Sequence, residues 1–539
     1  MGDGAVSAGV GAPLLVRIET TSNQAFLATS SKARHLVAAS ELLSRSTTDW
    51  VREAVAALAD GSAEIVTAVS GVAILLTDAH ETGRSIVRSV TSRALEEAPG
   101  LIVHGAVAGL ETRDGSGLAD ALRDSALRIA AHRARTGDGV RTDLMLPLGA
   151  PCPMTGRPSS GLLEGAGGGP ASDFVIRVEE AGLRDAAFDR MGRLVTEGDT
   201  HTHVGGMADL MERIDSRAED DARWMAVVHA DGNGVGAVFV ALADELRGLP
   251  DLPDAVARFR EVSQAVDRAA TDALRSAVRM VTVERMGPES PAVLPLVCAG
   301  DDLTMLVEAD VALDATVTYA REFERLTREA PEVPGEGLTV GAGIAVTKPG
   351  HPILFGLELA EALAAGAKAA GRREAVDGDA IPGTIDVHVL HGSGGLGLDV
   401  VRGAVRRTDD ALPPSAGPWS TSGTVGGLDA IDDLRDLVIE LADPDSPARS
   451  LAQRLRSAAE LGRAAFDDVV RRAVVRSQDS ASAPLDALER AGCSLRALGD
   501  DERSDRSRAR VTDALAFTGV LTKAQRRSLA DRRDRTGVR

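Results

Sequence analysis

Three aspartates carry the clearest potential for chemistry in this sequence. Asp231 follows the apolar run Met225–Val228 and opens the turn Asp231-Gly232-Asn233-Gly234. Asp301 and Asp302 lie between two apolar runs, in the segment PAVLPLVCAGDDLTMLVEA. Carboxylates that meet at short range repel each other, and one of their pKa values rises strongly. A divalent cation removes this conflict, and hard oxygen ligands suit Mg²⁺ or Mn²⁺.

Such a site would be suited to phosphoryl chemistry. Mg²⁺ takes one or two carboxylates and completes its shell with water and substrate phosphates. Two ions held in this way can activate a hydroxyl and stabilise a leaving pyrophosphate. Glycines at 232, 234 and 236 would let the backbone approach a triphosphate closely. Asp, Asn and Gly are also the common residues of polar turns, so either motif alone would be unremarkable.

The elements around these aspartates predict a sheet that brings them together. The strand WMAVVHADGNG is followed by a helix at 254–284, a hairpin with Gly300-Asp301 at its tip, a helix at 310–328 and the strand GLTVGAGIAVT. This is the element order of a ferredoxin-like unit. Its first strand and its hairpin are neighbours in the sheet, so the carboxylates should converge on one edge. His229, just before Asp231, either borders the site or packs within the strand.

Two lysines follow on the next elements. Strand 338–346 leads through Lys348 to an Ala-rich helix at 354–372 that carries Lys368. Either side chain could reach phosphate oxygens, although an isolated lysine is more often a solvated surface residue. The candidate substrate-binding residues are therefore Gly232, Asn233, Gly234, Gly300, Lys348 and Lys368.

The same element order occurs earlier in the chain. A strand at 13–20, helical sequence at 31–60, two β-type runs around Ser70-Gly71, a helix at 80–97 and a strand at 101–109 form a second ferredoxin-like series. The repetition suggests an internal duplication.

Composition restricts the partners. The chain has 539 residues with 80 acidic and 60 basic side chains, a net charge of −20, which argues against non-specific nucleic-acid binding as the main function. Aromatic residues make up 2% of the chain, too few for sheets that stack bases. The three cysteines form no CxxC pair, which suits a reducing compartment and supplies no zinc site. With no signal peptide and no long apolar stretch, we expect a cytoplasmic protein without membrane association.

A family resemblance rests on three segments. HADGNGVG, CAGDDL and GIAVTKPGHPILFGLELAEALAAGAKAAGR together resemble the second palm domain of the large subunit of type III CRISPR effector complexes, which is related to diguanylate cyclases. IETTSNQAFLATSSKARHLVAASELL is similar to the start of that family's first palm, and AVSGVAILL to its hairpin. The resemblance covers about 14–150 and 222–375. It implies that ATP is converted into cyclic oligoadenylate with two metal ions, with Asp231 and the GGDD-like hairpin at the metals and Lys368 on phosphate.

Three departures from the family pattern stand out. The hairpin has Ala299-Gly300 where the family has two glycines, and Asn233 replaces an acid that is often found there. The zinc-binding cysteines expected between the palms are absent. Cys152 is either their remnant or, more simply, an unliganded cysteine.

The sequence therefore predicts an α+β fold. Two ferredoxin-like palm domains of the nucleotidyl cyclase type are joined by a helical linker domain and followed by a helical C-terminal domain. The expected parts are a degenerate first palm at 1–148, a linker at 149–221, a catalytic second palm at 222–400 and C-terminal helices at 428–539. The first hairpin, Ser70-Gly71-Val72, has no acids, so the first palm should be inert and form the other face of the nucleotide cleft. Glu19 and Ser70 are expected at the positions of Asp231 and Asp301.

The leading functional hypothesis is a nucleotidyltransferase that makes cyclic oligonucleotides in antiviral signalling. Asp231, Asp301 and Asp302 would be its catalytic and metal-binding residues, with Mg²⁺ or Mn²⁺ in a two-metal site and ATP or another nucleoside triphosphate as substrate. The alternative is an RNA-binding scaffold subunit of a CRISPR-type complex with a weak or silent palm. A stand-alone signalling enzyme without RNA is a third hypothesis. Partner subunits, guide RNA and a homodimer are left open.

Overall fold

The fold contains a four-stranded antiparallel sheet and a six-stranded sheet in which one pair of strands is parallel. The computed structural model describes residues 13–30, 32–58, 61–136, 149–164, 168–195, 224–281, 293–348, 351–375, 380–390, 398, 412, 415–478, 483–496, 498–499 and 501–521. The helical sequence expected at 196–221 and the residues beyond 521 lie outside this part of the chain. In the part that is described, no helix is both long and apolar enough to cross a membrane.

The first sheet has four strands in the order β2-β3-β1-β4, the order of a ferredoxin-like unit. Its strands are β1 (Leu14–Thr21), β2 (Ala63–Val69), β3 (Val72–Thr77) and β4 (Ile102–Gly109). Its helices are α1 (Asn23–Leu27), α2 (Ala33–Thr47), α3 (Asp49–Ala56) and α4 (His80–Glu97), followed by α5 (Gly115–Thr136). The helical run expected at 31–60 is divided at Thr48, whose backbone leaves the helical region and whose hydroxyl donates to the Ser44 carbonyl at 2.8 Å.

The second sheet repeats this arrangement and extends it. Six strands lie in the order β12-β11-β10-β7-β9-β8. They are β7 (Met225–Asn233), β8 (Val293–Ala299), β9 (Asp302–Glu308), β10 (Thr339–Thr347), β11 (Thr384–Val389) and β12 (Trp419–Ser420). The helices are α8 (Val235–Leu246), α9 (Leu252–Val281), α10 (Ala309–Glu329) and α11 (Ile353–Glu374). All nine residues of β10 are buried, as expected for a central strand built from Val, Ile, Ala and Gly.

Strand register supports the internal duplication. Asp231 pairs with Asp302 across β7 and β9, and Glu19 pairs with Val72 across β1 and β3. Three residues after each acid, the chain turns through a left-handed residue into a helix. Gly234 makes this turn in the second palm (φ 82°), and Ser22 makes it in the first (φ 56°), where a side chain is disfavoured.

The register corrects one sequence expectation. Both hairpins close with two residues, Ser70-Gly71 in the first palm and Gly300-Asp301 in the second. Ser70 therefore matches Gly300, and Gly71 matches Asp301. The expected match of Ser70 with Asp301 was off by one residue, because a two-residue tip cannot be aligned without knowing which residues pair.

The linker and the C-terminal part pack against the palms. The linker contains a small hairpin, β5 (Gly161–Leu163) and β6 (Gly169–Ala171), and the helices α6 (Asp173–Val178) and α7 (Ala181–Val195). The C-terminal helices are α12 (Ile431–Ala442), α13 (Arg449–Ala459), α14 (Arg463–Gln478), α15 (Ala483–Arg490) and α16 (Glu502–Val520). The predicted α+β class with two palms and a helical C-terminal part is confirmed, whereas the domain limits remain predictions. Helices α5 and α8 were not predicted.

The two palms approach each other at backbone level. The Gly115 N–H at the start of α5 donates to the Leu249 carbonyl at 3.0 Å. A Cβ at position 115 would lie 1.8 Å from the Leu246 carbonyl oxygen, so only glycine permits this approach. The start of α5, the last helix of the first palm, therefore meets the end of α8, the first helix of the second palm, without intervening side chains.

A half-buried carboxylate fixes the linker to the first palm. Glu179, at the end of α6, accepts hydrogen bonds from Arg34 Nη2 at 2.7 Å and from His35 Nε2 at 2.8 Å. The His35 ring is fully buried, and its Nδ1 lies 2.7 Å from Ser30 Oγ. Burial alone would raise the pKa of Glu179, but the hydrogen bonds from Arg34 and His35 lower it to about 2. Burial lowers the pKa of His35.

We expect Glu179→Gln to lower the free energy of unfolding by about 1–2 kcal/mol at pH 7, since a hydrogen bond to a charged group is lost. The folded pKa of Glu179 lies below its ordinary value of 4.5, so its contribution is complete above pH 4.5 and disappears as the pH falls toward 2. Urea unfolding between pH 7 and pH 3 should therefore show a smaller loss on acidification in the variant. Glu180→Gln, which removes an exposed carboxylate next to it, is the control. Equal pH dependence in all three proteins would contradict this assignment.

Candidate active site

The three aspartates meet at one end of the second sheet. Asp231 is the partner of Asp302 in the register of β7 and β9, and Asp301 occupies the adjacent hairpin tip. Asp301 packs directly on Gly232: a Cβ at position 232 would lie 2.5 Å from the Asp301 Cβ and 2.9 Å from its Oδ2. Glycine at 232 is thus required for the hairpin to close over the strand end, and the structure brings together the carboxylates that the sequence singled out.

Lys368 completes this group. Its Nζ lies 2.5 Å from Asp231 Oδ2, and its side chain is only 17% exposed. The lysine comes from α11, which packs across β10 so that Lys368 stands next to Gly341, the residue paired with Asp231. Lys368 is therefore the positive charge nearest to Asp231 among the described contacts.

The remaining negative charge is incompletely compensated. Burial and the charge of Asp231 raise the pKa of Asp301. Burial and the charges of Asp301 and Asp231 raise the pKa of Asp302 to about 7. Although 35% of the Asp302 side chain is accessible, its Oδ1 is buried and has no hydrogen-bond partner among the described residues. Such carboxylates are typical of a site that receives a cation or a proton.

His229 lies behind the aspartates. Its Nδ1 is 3.1 Å from Thr304 Oγ1 and 3.5 Å from Asp302 Oδ1, and burial lowers the pKa of its ring. Gln24 of the first palm reaches the same nitrogen at 3.5 Å. His229 thus borders the site and also packs within the strand. Sequence reasoning did not connect Thr304 and Gln24 with this site, because Thr304 lies outside the motifs and Gln24 is 205 positions from His229.

A carboxylate on α9 holds the hairpin tip. The backbone N–H of Gly300 donates to Asp267 Oδ1 at 3.1 Å. Burial raises the pKa of Asp267, and the hydrogen bond from Gly300 partly opposes this. Sequence reasoning missed this residue, because an aspartate within a long amphipathic helix carries no local signal.

The other candidate residues have different positions. Gly234 begins α8 in the left-handed conformation. Asn233 is 2% exposed and its amide donates to Thr339 Oγ1 at 3.1 Å, so its side chain points into the protein. Lys348 is not brought to the group: β10 runs opposite to β7, so Lys348 lies beside Trp224, 5.4 Å from its ring centroid. At the rise of a β-strand this end is roughly 20 Å from Asp231.

A cavity of about 760 Å³ lies between the two palms. Asp301, Gly300 and Asp267 line it on one side, and Ser70 at the tip of the first hairpin lines it on the other. Apolar residues of α8 and α9 form much of the remaining wall. The volume and the mixture of apolar walls with a few polar groups are typical of small-molecule sites. The two hairpin tips thus share one cavity.

The second palm matches a known family. Residues 224–377 match the family model of the Cas10/Cmr2 second palm domain. The chain contains a Cas10-like palm domain.

Solved structures extend the similarity beyond the Cas10-like palm. A chain of the Csm1–Csm4 cassette in complex with pppApApA is 12% identical, with a TM-score of 0.51, over 94% of this chain and 69% of that chain. Csm1 of T. onnurineus is 13% identical, with a TM-score of 0.47, over 95% and 70%. A chain of the Csm1–Csm4 cassette in complex with cA4 is 12% identical, with a TM-score of 0.41. The match covers 70% of this chain and 54% of that chain, so the present chain spans about half of it. No curated protein matches the sequence. At 12% identity the first of these similarities concerns the fold.

The Cas10-like palm offers a partial rather than a closed metal site. Among the described residues, no three His, Cys, Asp or Glu side chains are grouped so as to hold an ion. Mg²⁺ usually needs only one or two carboxylates, with water and substrate phosphates as the other ligands. The unpartnered Oδ1 of Asp302 and the raised pKa values of Asp301 and Asp302 fit such a cation. Asp231, Asp301 and Asp302 are the residues that would hold it.

We expect Asp267→Ala to impair catalysis more than substrate binding, because the hairpin tip loses the acceptor that holds the Gly300 N–H. Asp267→Asn keeps an acceptor oxygen and should retain most of the activity. The kcat values of the two variants should differ by about tenfold, the value of one hydrogen bond to a charged group, and their KM values should differ less. Equal loss in both variants, or none in the alanine variant, would show that Asp267 does not position the hairpin.

Proposed function

We propose that this protein is a metal-dependent nucleotidyltransferase that joins nucleoside triphosphates, ATP first among them, into cyclic oligonucleotides. The observation that carries the proposal is the pairing of Asp231 with Asp302 beside Asp301, at the edge of a cavity that the two palms share. The match of residues 224–377 to the Cas10/Cmr2 second palm supports the reaction class. The fold similarity to a chain crystallised with pppApApA supports an oligoadenylate product.

The chain's own residues supply binding and positioning. Asp231, Asp301 and Asp302 would hold Mg²⁺ or Mn²⁺, and the ions would activate the attacking 3′-hydroxyl and neutralise the leaving pyrophosphate. Lys368, whose Nζ lies 2.5 Å from Asp231 Oδ2, would exchange this contact for a phosphate oxygen of the substrate. Gly300 has no neighbouring atom within 4 Å of the place where a side chain would begin, so the backbone at the hairpin tip is open to a triphosphate.

The first palm provides the second half of the reaction site. Val72 occupies the position of Asp302, and Glu19 that of Asp231, so this half has one acid instead of three. We propose that it binds the nucleotide whose 3′-hydroxyl attacks, and that the cavity walls hold both nucleotides in line. Positioning of this kind accounts for a large part of the barrier reduction in phosphoryl transfer.

The proposed setting is a CRISPR-type effector complex. It is supported by the fold similarity to a chain of the Csm1–Csm4 cassette, a complex of two different subunits. Association with partner subunits or guide RNA is part of the proposal. Absorbance at 260 and 280 nm of the purified protein tests whether RNA accompanies it. RNA retention together with an absence of product would favour a scaffold with a silent palm.

Removing the hairpin acids should abolish the activity. Asp301→Ala with Asp302→Ala is expected to give no cyclic product when purified protein is incubated with Mn²⁺ and each nucleoside triphosphate, with mass spectrometry as the measurement. The melting temperature should not fall, because carboxylates with raised pKa values destabilise the folded state at neutral pH. The matched control, Asp251→Ala with Asp254→Ala, removes two exposed carboxylates from the start of α9 and should remain active. Synthesis by the hairpin variant would refute the catalytic assignment.

The metal preference tests Asp231. Asp231→Asn should lose more activity with Mg²⁺ than with Mn²⁺, because Mg²⁺ demands a more ideal shell of oxygen ligands. The ratio of the two rates, measured in wild type and variant, should change by about tenfold or more. An unchanged ratio would leave Asp231 without a role at the metal.

A further inference from the structure

The first palm carries a positive charge close to the position where the second palm carries its metal ligands. Arg17 lies two residues before Glu19 on β1 and pairs with Ile74, as His229 lies two residues before Asp231 and pairs with Thr304. Arg17 Nε donates to Glu19 Oε2 at 2.7 Å. The one acid that the first palm retains is thus already neutralised by a guanidinium of the same strand.

Most of the Arg17 guanidinium remains available. An arginine has five N–H donors, and the bond to Glu19 uses one of them. The other four have no hydrogen-bond partner among the described residues. The side chain is 24% exposed and lines the cavity between the palms.

A second arginine lines the same cavity from α5. Arg123 is exposed and forms no ion pair with any described residue. Its neighbours on the facing surfaces differ in this respect: Arg128 on α5 is paired with Asp124, and Arg247 beyond α8 is paired with Asp120 and Asp244. Arg123 is therefore an uncompensated positive charge at the cavity wall.

Apolar side chains form another part of the wall. Val235 and Phe239 of α8 and Phe259 and Val266 of α9 line the cavity, and the rings of Phe239 and Phe259 lie 5.9 Å apart. A cavity that offers guanidinium groups together with aromatic and aliphatic side chains matches a ligand with a charged and a flat apolar end. Guanidinium groups bind phosphate oxygens with two parallel hydrogen bonds.

We propose that Arg17 and Arg123 form a metal-independent subsite for the 5′-triphosphate of the second nucleotide or of the growing oligonucleotide. This inference rests on the proposed function and names the group that the first palm binds. Arg17 and Arg123 are positioning residues: they hold the acceptor while the second palm carries the chemistry. Arginine replaces the cation that Glu19 and Val72 cannot hold.

The test measures the binding of ATP and of AMP to the full-length protein in EDTA by isothermal titration calorimetry. Without divalent ions the carboxylates of the second palm repel a triphosphate, so binding reports on the first palm. Arg123→Gln should raise the Kd for ATP about tenfold, and Arg17→Gln with Arg123→Gln more than that. AMP should bind more weakly than ATP to the wild type and change less than threefold in the variants. Arg128→Gln, the control on the same helix, should bind ATP like the wild type.

Two results would overturn the subsite: no ATP binding in EDTA, or unchanged ATP affinity in the double variant with an unchanged melting temperature. An equal loss of AMP and ATP affinity would show that the arginines do not recognise the triphosphate, and would overturn it as well. The assay for cyclic product distinguishes a failure of this subsite from a failure of the proposed nucleotidyltransferase function. Cyclic product with normal ATP binding by the arginine variants refutes the subsite alone. Arginine-dependent binding without any product refutes the proposed function alone.

Discussion

The pairing of Asp231 with Asp302 across β7 and β9 places three carboxylates at one strand end, and much of the surrounding structure accommodates that concentration of charge. Gly232 lets Asp301 pack onto the strand, Lys368 neutralises Asp231, and Asp267 holds the hairpin tip by its backbone. None of these contacts compensates Asp302, whose Oδ1 is buried without a hydrogen-bond partner among the described residues. The sheet therefore holds a charge that folding alone would disfavour.

The two palms show how the same framework behaves with and without this charge. In the first palm the position of Asp302 is occupied by Val72, and Glu19 is paired with Arg17. The turn after β1 is nevertheless preserved, although Ser22 adopts a conformation that favours glycine. A turn that persists at a cost of about 1 kcal/mol points to a role in placing α1. Through α1, Gln24 reaches His229 behind the aspartates of the second palm.

Sequence reasoning found what is local and missed what depends on packing. The hairpin tip at Gly300-Asp301 and the strand that leads to Asp231 follow from apolar runs and turn residues, and the structure contains both, although the strand continues to Asn233 where a turn was predicted. Lys368 was predicted as a phosphate contact, and the structure places it on Asp231. Helix α8, which begins directly after the predicted Gly-rich turn, was not predicted. Lys348 was grouped with Lys368 by its nearness in sequence, but an antiparallel neighbour strand carries it to the far end of the sheet. Asp267, Thr304 and Gln24 become visible only when the elements are assembled.

The backbone contact between Gly115 and Leu249 has a consequence for the two halves as separate molecules. The cavity has walls from both palms, and α5 and α8 meet there with no side chain between them at Gly115. Neither half alone would enclose that space, and the apolar face of α8 would be open to water. A gene fragment encoding only the acidic half would yield a protein that keeps its aspartates but has lost the wall opposite them. The two palms thus resemble the subunits of a covalently tethered dimer, because the cavity has walls from both of them.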